Sequence, residues 1–303
     1  MRVAVTGSSG LIGTALVASL TGSGHEVRRL VRREPRGLDE LRWDPVGGTV
    51  DMTGLAGVDA VVHLAGAPIG RPWTKAYQRE IMDSRVLGTR TIARAVAELD
   101  PQPRVLLSAS GIHYYAGRDR EPCDESSLPG QSFLTDVVLA WEAAADPARD
   151  AGIRVVHSRN GVVVSDRGGA FKPLIRQFKL GLGGRLGSGN QFWSWIALQD
   201  MVRALEFILH RDDLAGPVNT TAPNPVTNAE VTRALAASLH RPALVPAPAF
   251  AMRLVLRGMA SAALDSIRAV PGRLHEAGFT FRYPTVRAAL DAELRGDGYA
   301  AAD

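Results

Sequence analysis

The run Gly7-Ser8-Ser9-Gly10-Leu11-Ile12-Gly13 stands between an apolar stretch, residues 2–6, and a segment whose apolar positions Leu11, Ile12, Ala15, Leu16 and Leu20 recur at helical spacing. Glycine at three of these positions suits a backbone that must hold a diphosphate. Gly7 permits the tight turn off the strand, Gly10 puts no Cβ between chain and ligand, and Gly13 lets the helix pack closely on the sheet. The helix N-terminus then turns its free N–H groups and positive dipole end toward the phosphates, with Ser8, Ser9, Leu11 and Ile12 supplying the surrounding backbone. A glycine pattern alone is a weak sign. Its place directly between strand and helix gives it weight.

The end of the second strand-like run, Val27–Val31, reports on the adenosine ribose. An Asp or Glu there, roughly 20 residues past the loop, would bind the 2′-hydroxyl of an unphosphorylated dinucleotide. This chain has Arg32 and Arg33 instead. A guanidinium can grip a 2′-phosphate through two parallel hydrogen bonds and stack on the adenine, so the expected cofactor is NADP(H), with Arg32 as main contact and Arg33 as support. Asp44, after the strand-like Leu41–Trp43, could accept from the adenine amine or cap a turn. Leu64, Ala65 and Gly66 close the run 59–65, and small residues there let the backbone lie along the nicotinamide half. Ser108 and Ser110 end the run from Val105, on the sheet edge where doubly wound folds bind ligands.

The elements that must position these residues alternate. Strand-like runs at 2–6, 27–31, 41–43, 59–65, 105–109 and 153–158 are separated by helical patterns, including a long one at 75–98. The expected fold is α/β, a Rossmann doubly wound parallel sheet with a smaller C-terminal α/β substrate lobe. Residues 1–165, with 193–216 returning, form the dinucleotide-binding domain; 166–192 and 217–303 form the lobe. Within it, 165–192 read as glycine-rich loop, 228–240 and 247–263 as helices, and 278–284 as a short strand.

Composition narrows the class. The 303 residues suffice for one large domain with an appended lobe. The N-terminal run reads as a strand and not a signal peptide, and no stretch approaches the ~20 apolar residues of a membrane span. A single cysteine, Cys123, allows no internal disulfide, fits a reducing cytoplasm and reads as an inert thiol. The net charge of +4 comes with dispersed arginines, so no nucleic-acid role is expected. The chain has no metal-ligand spacing, so no metal site is expected. A monomer or homodimer acting on a small molecule is the expectation.

The chain resembles the atypical extended short-chain dehydrogenases/reductases, the epimerase-like family. The resemblance rests on VTGSSGLIG (5–13), HLAGAPI (63–69), SRVLGTRTI (84–92), SASGIHYYAG (108–117), SRNGVVVS (158–165), FKLGLGGRLGSGNQFWSWI (178–196) and VPGRLHEAGFTF (270–281). It implies NADP(H), with the phosphate loop at Gly7, Gly10 and Gly13 and the 2′-phosphate at Arg32 and Arg33. It also implies a Ser after the fifth strand, matched by Ser110, and a Tyr-x-x-x-Lys on the following helix. That pair falls on Leu134 and Val138, which cannot move protons. Tyr114 and Tyr115 are the nearest substitutes, and Ala197 stands where relatives carry a His.

Other residues stay open between two readings. Trp193 and Trp195 wall a pocket or anchor the lobe. Arg85 binds an anionic substrate or makes a surface ion pair. His113 is a pocket acid/base or a packing residue. His63 reads as a satisfied core histidine, and Asp200 as a cap of the helix that follows it. The leading expectation is an NADP(H)-dependent oxidoreductase or epimerase-like enzyme using Ser110 with Tyr114 or Tyr115. The rival is a cofactor-binding sensor or scaffold without turnover.

Overall fold

The first strand, Arg2–Thr6 (β1), has Val3, Ala4 and Val5 fully buried, as a strand covered by helices on both faces requires. In the computed structural model, which describes residues 1–118 and 121–296, it is followed by β2 (Glu26–Val31), β3 (Glu40–Asp44), β4 (Thr49–Val50), β5 (Ala60–His63), β6 (Val105–Gly111), β7 (Arg154–Asn160), β8 (Val162–Val164), β9 (Phe192–Trp193), β10 (Trp195–Ala197), β11 (Gly216–Thr220) and β12 (Val226–Thr227). The helices are α1 (Leu11–Gly22), α2 (Met52–Leu55), α3 (Lys75–Ala97), α4 (Phe133–Ala143), α5 (Asp146–Asp150), α6 (Phe171–Lys179), α7 (Leu198–Leu209), α8 (Asn228–Leu239), α9 (Ala249–Leu256), α10 (Met259–Leu264), α11 (Gly272–Glu276) and α12 (Val286–Arg295), with a 3-10 turn at Ile112–Tyr115.

Eight strands form one sheet in the order β11-β7-β6-β5-β1-β2-β3-β4, parallel throughout except for β4, which pairs antiparallel with β3. The chain steps from β1 outward to β4, then returns to the other side of β1 with β5. The strand order reverses between β1 and β5, and that switch point is where a doubly wound sheet opens a ligand crevice at its carboxyl edge. Two apolar layers flank the sheet. Leu16 and Leu20 of α1 and Met201, Leu205 and Ile208 of α7 pack on one face; Ile92 and Val96 of α3 and Ala148 of α5 pack on the other. A separate core joins α6, α8 and α12 with Trp193 and Trp195 and builds the second lobe. The paired strands β8 and β10 lead from the sheet into that lobe.

Both edges of the large sheet are blunted. β4 is two residues long, and β11 carries Pro217, whose carbonyl accepts from the Arg273 guanidinium at 3.0 Å. β11 also runs across residue 217, so the returning segment contributes to the sheet as far as Thr220. No helix among the described residues is long and apolar enough to cross a membrane.

Three local expectations need correction. The stretch 165–192 holds a helix, α6, whose buried Phe171, Ile175 and Phe178 repeat at i, i+4 and i+7 between glycines. The helix expected over 247–263 is two, α9 and α10, separated at Arg257, whose φ of 52° puts a side-chain-bearing residue in the left-handed region. No strand forms at 278–284. The backbone N–H groups of Arg282 and Tyr283 instead donate to the Asp200 carboxylate at 2.9 and 2.8 Å, so this stretch finds a side-chain partner where a strand would need a ladder.

Asp200 therefore does not cap its own helix. Ala197 holds the N-cap position of α7 without a side-chain bond, while Asp200, fully buried in the first turn, clamps the C-terminal segment and pairs with Arg203 at 2.7 Å. Asp200→Ala should cost about 3 kcal/mol, because it strands two backbone donors away from water. Urea unfolding monitored by circular dichroism measures this, and a loss below about 1 kcal/mol would contradict the clamp.

Candidate active site

The glycine loop is a close-packed turn. Gly7 has φ +65°, and a Cβ there would lie 2.8 Å from the Leu64 carbonyl carbon and oxygen, so only glycine lets the loop sit against the end of β5. A Cβ on Gly13 would lie 2.2 Å from the Gly7 carbonyl oxygen, which explains how α1 starts directly over the turn. Gly10 is exposed, is the N-cap of α1 and carries no side-chain cap, so the first N–H groups of the helix face outward unshielded. Ser8 accepts from the Thr14 hydroxyl through its carbonyl and Ser9 is exposed, while Leu11 and Ile12 pack on the core. Gly168 and Gly169 lie against Leu11, bringing the stretch after β8 to the loop.

Thr6 ties this turn to the neighbouring crossover. Its hydroxyl accepts the N–H groups of Leu64 and Ala65 at 3.1 and 3.3 Å, which leaves its proton for His63 Nδ1 at 2.8 Å. His63 is thus neutral with Nδ1 as acceptor, and burial pushes it down to about 3. Its Nε2 has no partner among the described residues, so the expected satisfied histidine is satisfied there on one side only. Gly66 follows, exposed at the sheet edge.

The two arginines past β2 behave differently. Arg33 makes two hydrogen bonds, at 2.7 and 2.6 Å, to the carboxylate of Glu40. That guanidinium and the Arg36 N–H hold the Glu40 carboxyl down to about 2. Arg33 is committed to a protein anion. Arg32 is exposed and has no ion-pair partner among the described residues. Asp44 uses its carboxylate in the turn between β3 and β4: the N–H groups of Gly47 and Val46 hold it below the usual range, with Val46 at 3.0 Å.

At the end of β6 the ladder sets Ser110 beside Arg159 of β7, and Arg159 beside Asn219 of β11. Residues level on adjacent strands point to the same face, here toward α4. Glu142 of α4 meets them there. Its carboxylate receives Arg159 Nε and Nη2 at 2.8 Å each, and the Ser110 hydroxyl at 2.7 Å. Burial alone would push the Glu142 carboxyl up; the Arg159 guanidinium outweighs burial and keeps it below its ordinary value. Glu142 is an acceptor only, so Ser110 is the donor in that bond. Ser108, two residues back on the same strand, is fully buried, and its hydroxyl donates to the Ala109 carbonyl at 3.3 Å.

The two tyrosines separate. Tyr115 is fully buried, accepts from Arg159 at 2.9 Å and donates to Asn219 at 2.9 Å. Burial pushes its phenol up to about 12. The proton-transfer role expected of Tyr115 is therefore corrected to a structural one, since its hydroxyl is fully engaged inside the protein. Tyr114 is half-buried, with its ring 3.4 Å from the Arg159 guanidinium carbon. Leu134 and Val138 are buried; Leu134 packs with Trp73, Ile81 and Val137.

The lobe tryptophans resolve as anchors. Trp193 and Trp195 are buried and donate to the carbonyls of Ala263 and Asn224. The aromatic walls of the inter-lobe cleft are Trp73 and Phe133, which sequence reasoning missed; they line a cleft of about 390 Å³ with Gln78, Arg253, Arg257 and Asp265. Neither has a spacing signal, because α3, α4 and the α9–α10 segment meet there only in the folded chain. Ala197 is buried at the start of α7. The Cys123 thiol is buried and unpaired, and burial pushes it up, as an inert thiol requires.

Comparison with known proteins agrees with this geometry. Residues 3–220 match the NAD dependent epimerase/dehydratase family, and residues 247–293 match a domain of unknown function, DUF1731. The epimerase family protein Mb2239 of Mycobacterium bovis is 43% identical over 290 residues, covering 95% of this chain and 96% of the relative. The crystal structure of the human epimerase family protein SDR39U1 with NADPH superposes with a TM-score of 0.89 at 33% identity, covering 97% of this chain and 99% of that one. A nucleoside-diphosphate sugar epimerase from Corynebacterium glutamicum gives a TM-score of 0.81 at 38% identity, covering 97% of this chain and 58% of that chain.

The Glu142–Arg159 pair makes stability pH-dependent. Its contribution is complete above the unfolded carboxylate value, 4.5, and is lost as pH falls through the lower native value. Glu142→Gln should remove this acid dependence and, by leaving Arg159 without its counter-charge, destabilise at neutral pH by about 3 kcal/mol. Unfolding free energies from pH 3 to 7 test this; an acid limb of equal slope in both proteins would refute it.

Proposed function

Because the chain belongs to the NAD dependent epimerase/dehydratase family, we propose that it binds NADP(H) and carries out redox chemistry on a small carbonyl or hydroxyl compound, or a sugar-nucleotide-like one. The observation that carries the cofactor reading is Arg32, exposed just past β2 and without an ion-pair partner among the described residues, on the same sheet edge as an uncapped helix N-terminus. The residues present fit the group. Gly10 leaves its backbone uncovered for a diphosphate, the N–H groups opening α1 are free to donate to it, and Arg32 is free to meet a 2′-phosphate. NADPH in the human relative's structure agrees with this choice.

When bound, the nicotinamide supplies or accepts a hydride. The chain's own residues set what else is possible. Thr6 fixes the Leu64–Ala65 backbone that borders the nicotinamide half. Ser110, already donating to Glu142, has only acceptor capacity left, so it suits a substrate O–H better than a substrate carbonyl. Tyr114 is the phenol that remains for proton transfer once Tyr115 is assigned to the core.

A second reading, cofactor binding without turnover, is favoured by Leu134 and Val138, which seal with apolar surface the helix face where the family's proton-transfer pair would stand. A screen of carbonyl and hydroxyl compounds with NADPH and NADP⁺ separates the two readings. Turnover abolished by Tyr114→Phe supports the enzyme, and tight binding with no turnover supports the sensor.

Arg32→Ala should weaken NADPH binding by about 10- to 100-fold, the value of one or two charge-assisted hydrogen bonds, and leave NADH binding nearly unchanged. Isothermal titration with both dinucleotides measures the difference. Equal losses for NADPH and NADH would remove the 2′-phosphate role.

A further inference from the structure

The described residues leave eleven large apolar side chains exposed, and seven of them belong to one face of the second lobe. Leu180 and Leu182 stand in the turn after α6, and Leu244 and Val245 in the stretch before α9. Phe250, Leu254 and Val255 stand on α9 itself. Backbone hydrogen bonds join the segments. The Val245 N–H donates to the Gly183 carbonyl at 3.0 Å, the Ala247 N–H to the Arg185 carbonyl at 2.9 Å, and the Gly187 N–H to the Ala247 carbonyl at 2.8 Å. A Cβ on Gly184 would lie 2.0 Å from the Val245 carbonyl oxygen, so the two stretches lie backbone against backbone. Pro248 then leads into α9. Met252 is buried there, while Phe250 and Leu254, one helical turn apart, share the outward side at 74% and 80% exposure.

The same segments carry charge of one sign. Residues 167–199 and 231–264 contain no Asp or Glu. Arg176, Lys179, Arg185, Arg241, Arg253 and Arg257 are all exposed within them. Among the described residues none of the six takes part in an ion pair; the ion pairs of the span 167–264 use Asp200, Asp212 and Asp213. An apolar patch rimmed by charge marks a contact surface, and charge of one sign selects what it meets. A second copy of this face would set like charges opposite each other. A nucleic acid would satisfy the arginines and leave the apolar side chains in water. A lipid layer with acidic headgroups offers both partners, phosphates at its surface and acyl chains just beneath. The apolar tips project from two turns and a short helix, and a fluid acyl layer accepts them without matching pockets.

We propose that this face of the second lobe docks on a bilayer containing anionic lipid. Leu182, Leu244, Phe250 and Leu254 enter the boundary between headgroups and acyl chains, and the basic side chains around them meet lipid phosphates. The contact is peripheral, since no helix among the described residues is long and apolar enough to cross a membrane. Arg253 and Arg257 also line the inter-lobe cleft, so the docked bilayer borders that cleft. The proposal stands on surface chemistry alone and is independent of the cofactor reading.

The test sediments full-length protein with vesicles of equal parts phosphatidylcholine and phosphatidylglycerol, and with vesicles of phosphatidylcholine alone. Binding to the anionic vesicles is expected, about tenfold or more tighter than to the neutral ones and weakened by added salt. Two variants separate the contributions. Phe250→Ser/Leu254→Ser removes apolar surface at constant charge, and Lys179→Gln/Arg185→Gln/Arg241→Gln removes charge at constant apolar surface. Each should weaken binding to anionic vesicles by about tenfold or more. All of these positions are exposed, and circular dichroism checks that the variants fold; if one does not, the other decides by the same criterion. No binding to anionic vesicles overturns the proposal, as does equal binding to neutral and anionic ones. Binding unchanged in either variant overturns it too. A wild-type dimer that dissociates in Phe250→Ser/Leu254→Ser gives the face to a second copy and likewise overturns it.

Discussion

The bidentate pair between Glu142 and Arg159 is the interaction on which the carboxyl edge of the sheet depends. Arg159 is almost fully buried, and a guanidinium there persists only with its charge matched and its N–H groups bonded. Glu142 supplies the charge from α4, Tyr115 takes a further N–H from the 3-10 turn, and the Tyr114 ring covers the face. One ion pair thereby locks together β6, β7, α4 and the turn carrying Tyr114, and through Tyr115 reaches Asn219 of β11. The same pair consumes groups that sequence reasoning assigned to chemistry. Ser110 donates its hydroxyl hydrogen bond to Glu142, and the Tyr115 hydroxyl is taken by Arg159 and Asn219.

Much of the fold is legible in the residues because it is local. β1, the glycine turn and α1 follow from an apolar run, the helical period and the loop glycines Gly7, Gly10 and Gly13, and their boundaries agree with the structure. The parallel order follows from strand–helix alternation. What was hidden depends on partners distant in the chain. α6 carries a regular apolar spacing, yet flanking glycines made the stretch read as loop. Phe279 and Phe281 resemble strand residues, but they are placed by Phe207 and by the Asp200 clamp.

The site divides along the same line. The phosphate loop could be read from spacing, since a turn and a helix start are short-range features. The roles of Arg32 and Arg33 could not be separated, because the Glu40 that claims Arg33 is just another acidic residue until β2 and β3 lie side by side. Tyr114 and Tyr115 are indistinguishable in sequence. Adjacent residues in a 3-10 turn point in different directions, so one enters the core and the other stays at its margin. The replacement of the family's Tyr and Lys by Leu134 and Val138 was visible, and the structure adds that both are buried.

The blunted ends of the large sheet bear on how copies of this chain meet. A parallel sheet with a long bare outer strand invites another chain to continue its ladder, the route to open-ended stacking. Here one border offers two residues running the opposite way, and the other offers a proline that lacks an N–H beside a carbonyl already taken by Arg273. At neither border do the described residues offer strand addition a long bare template.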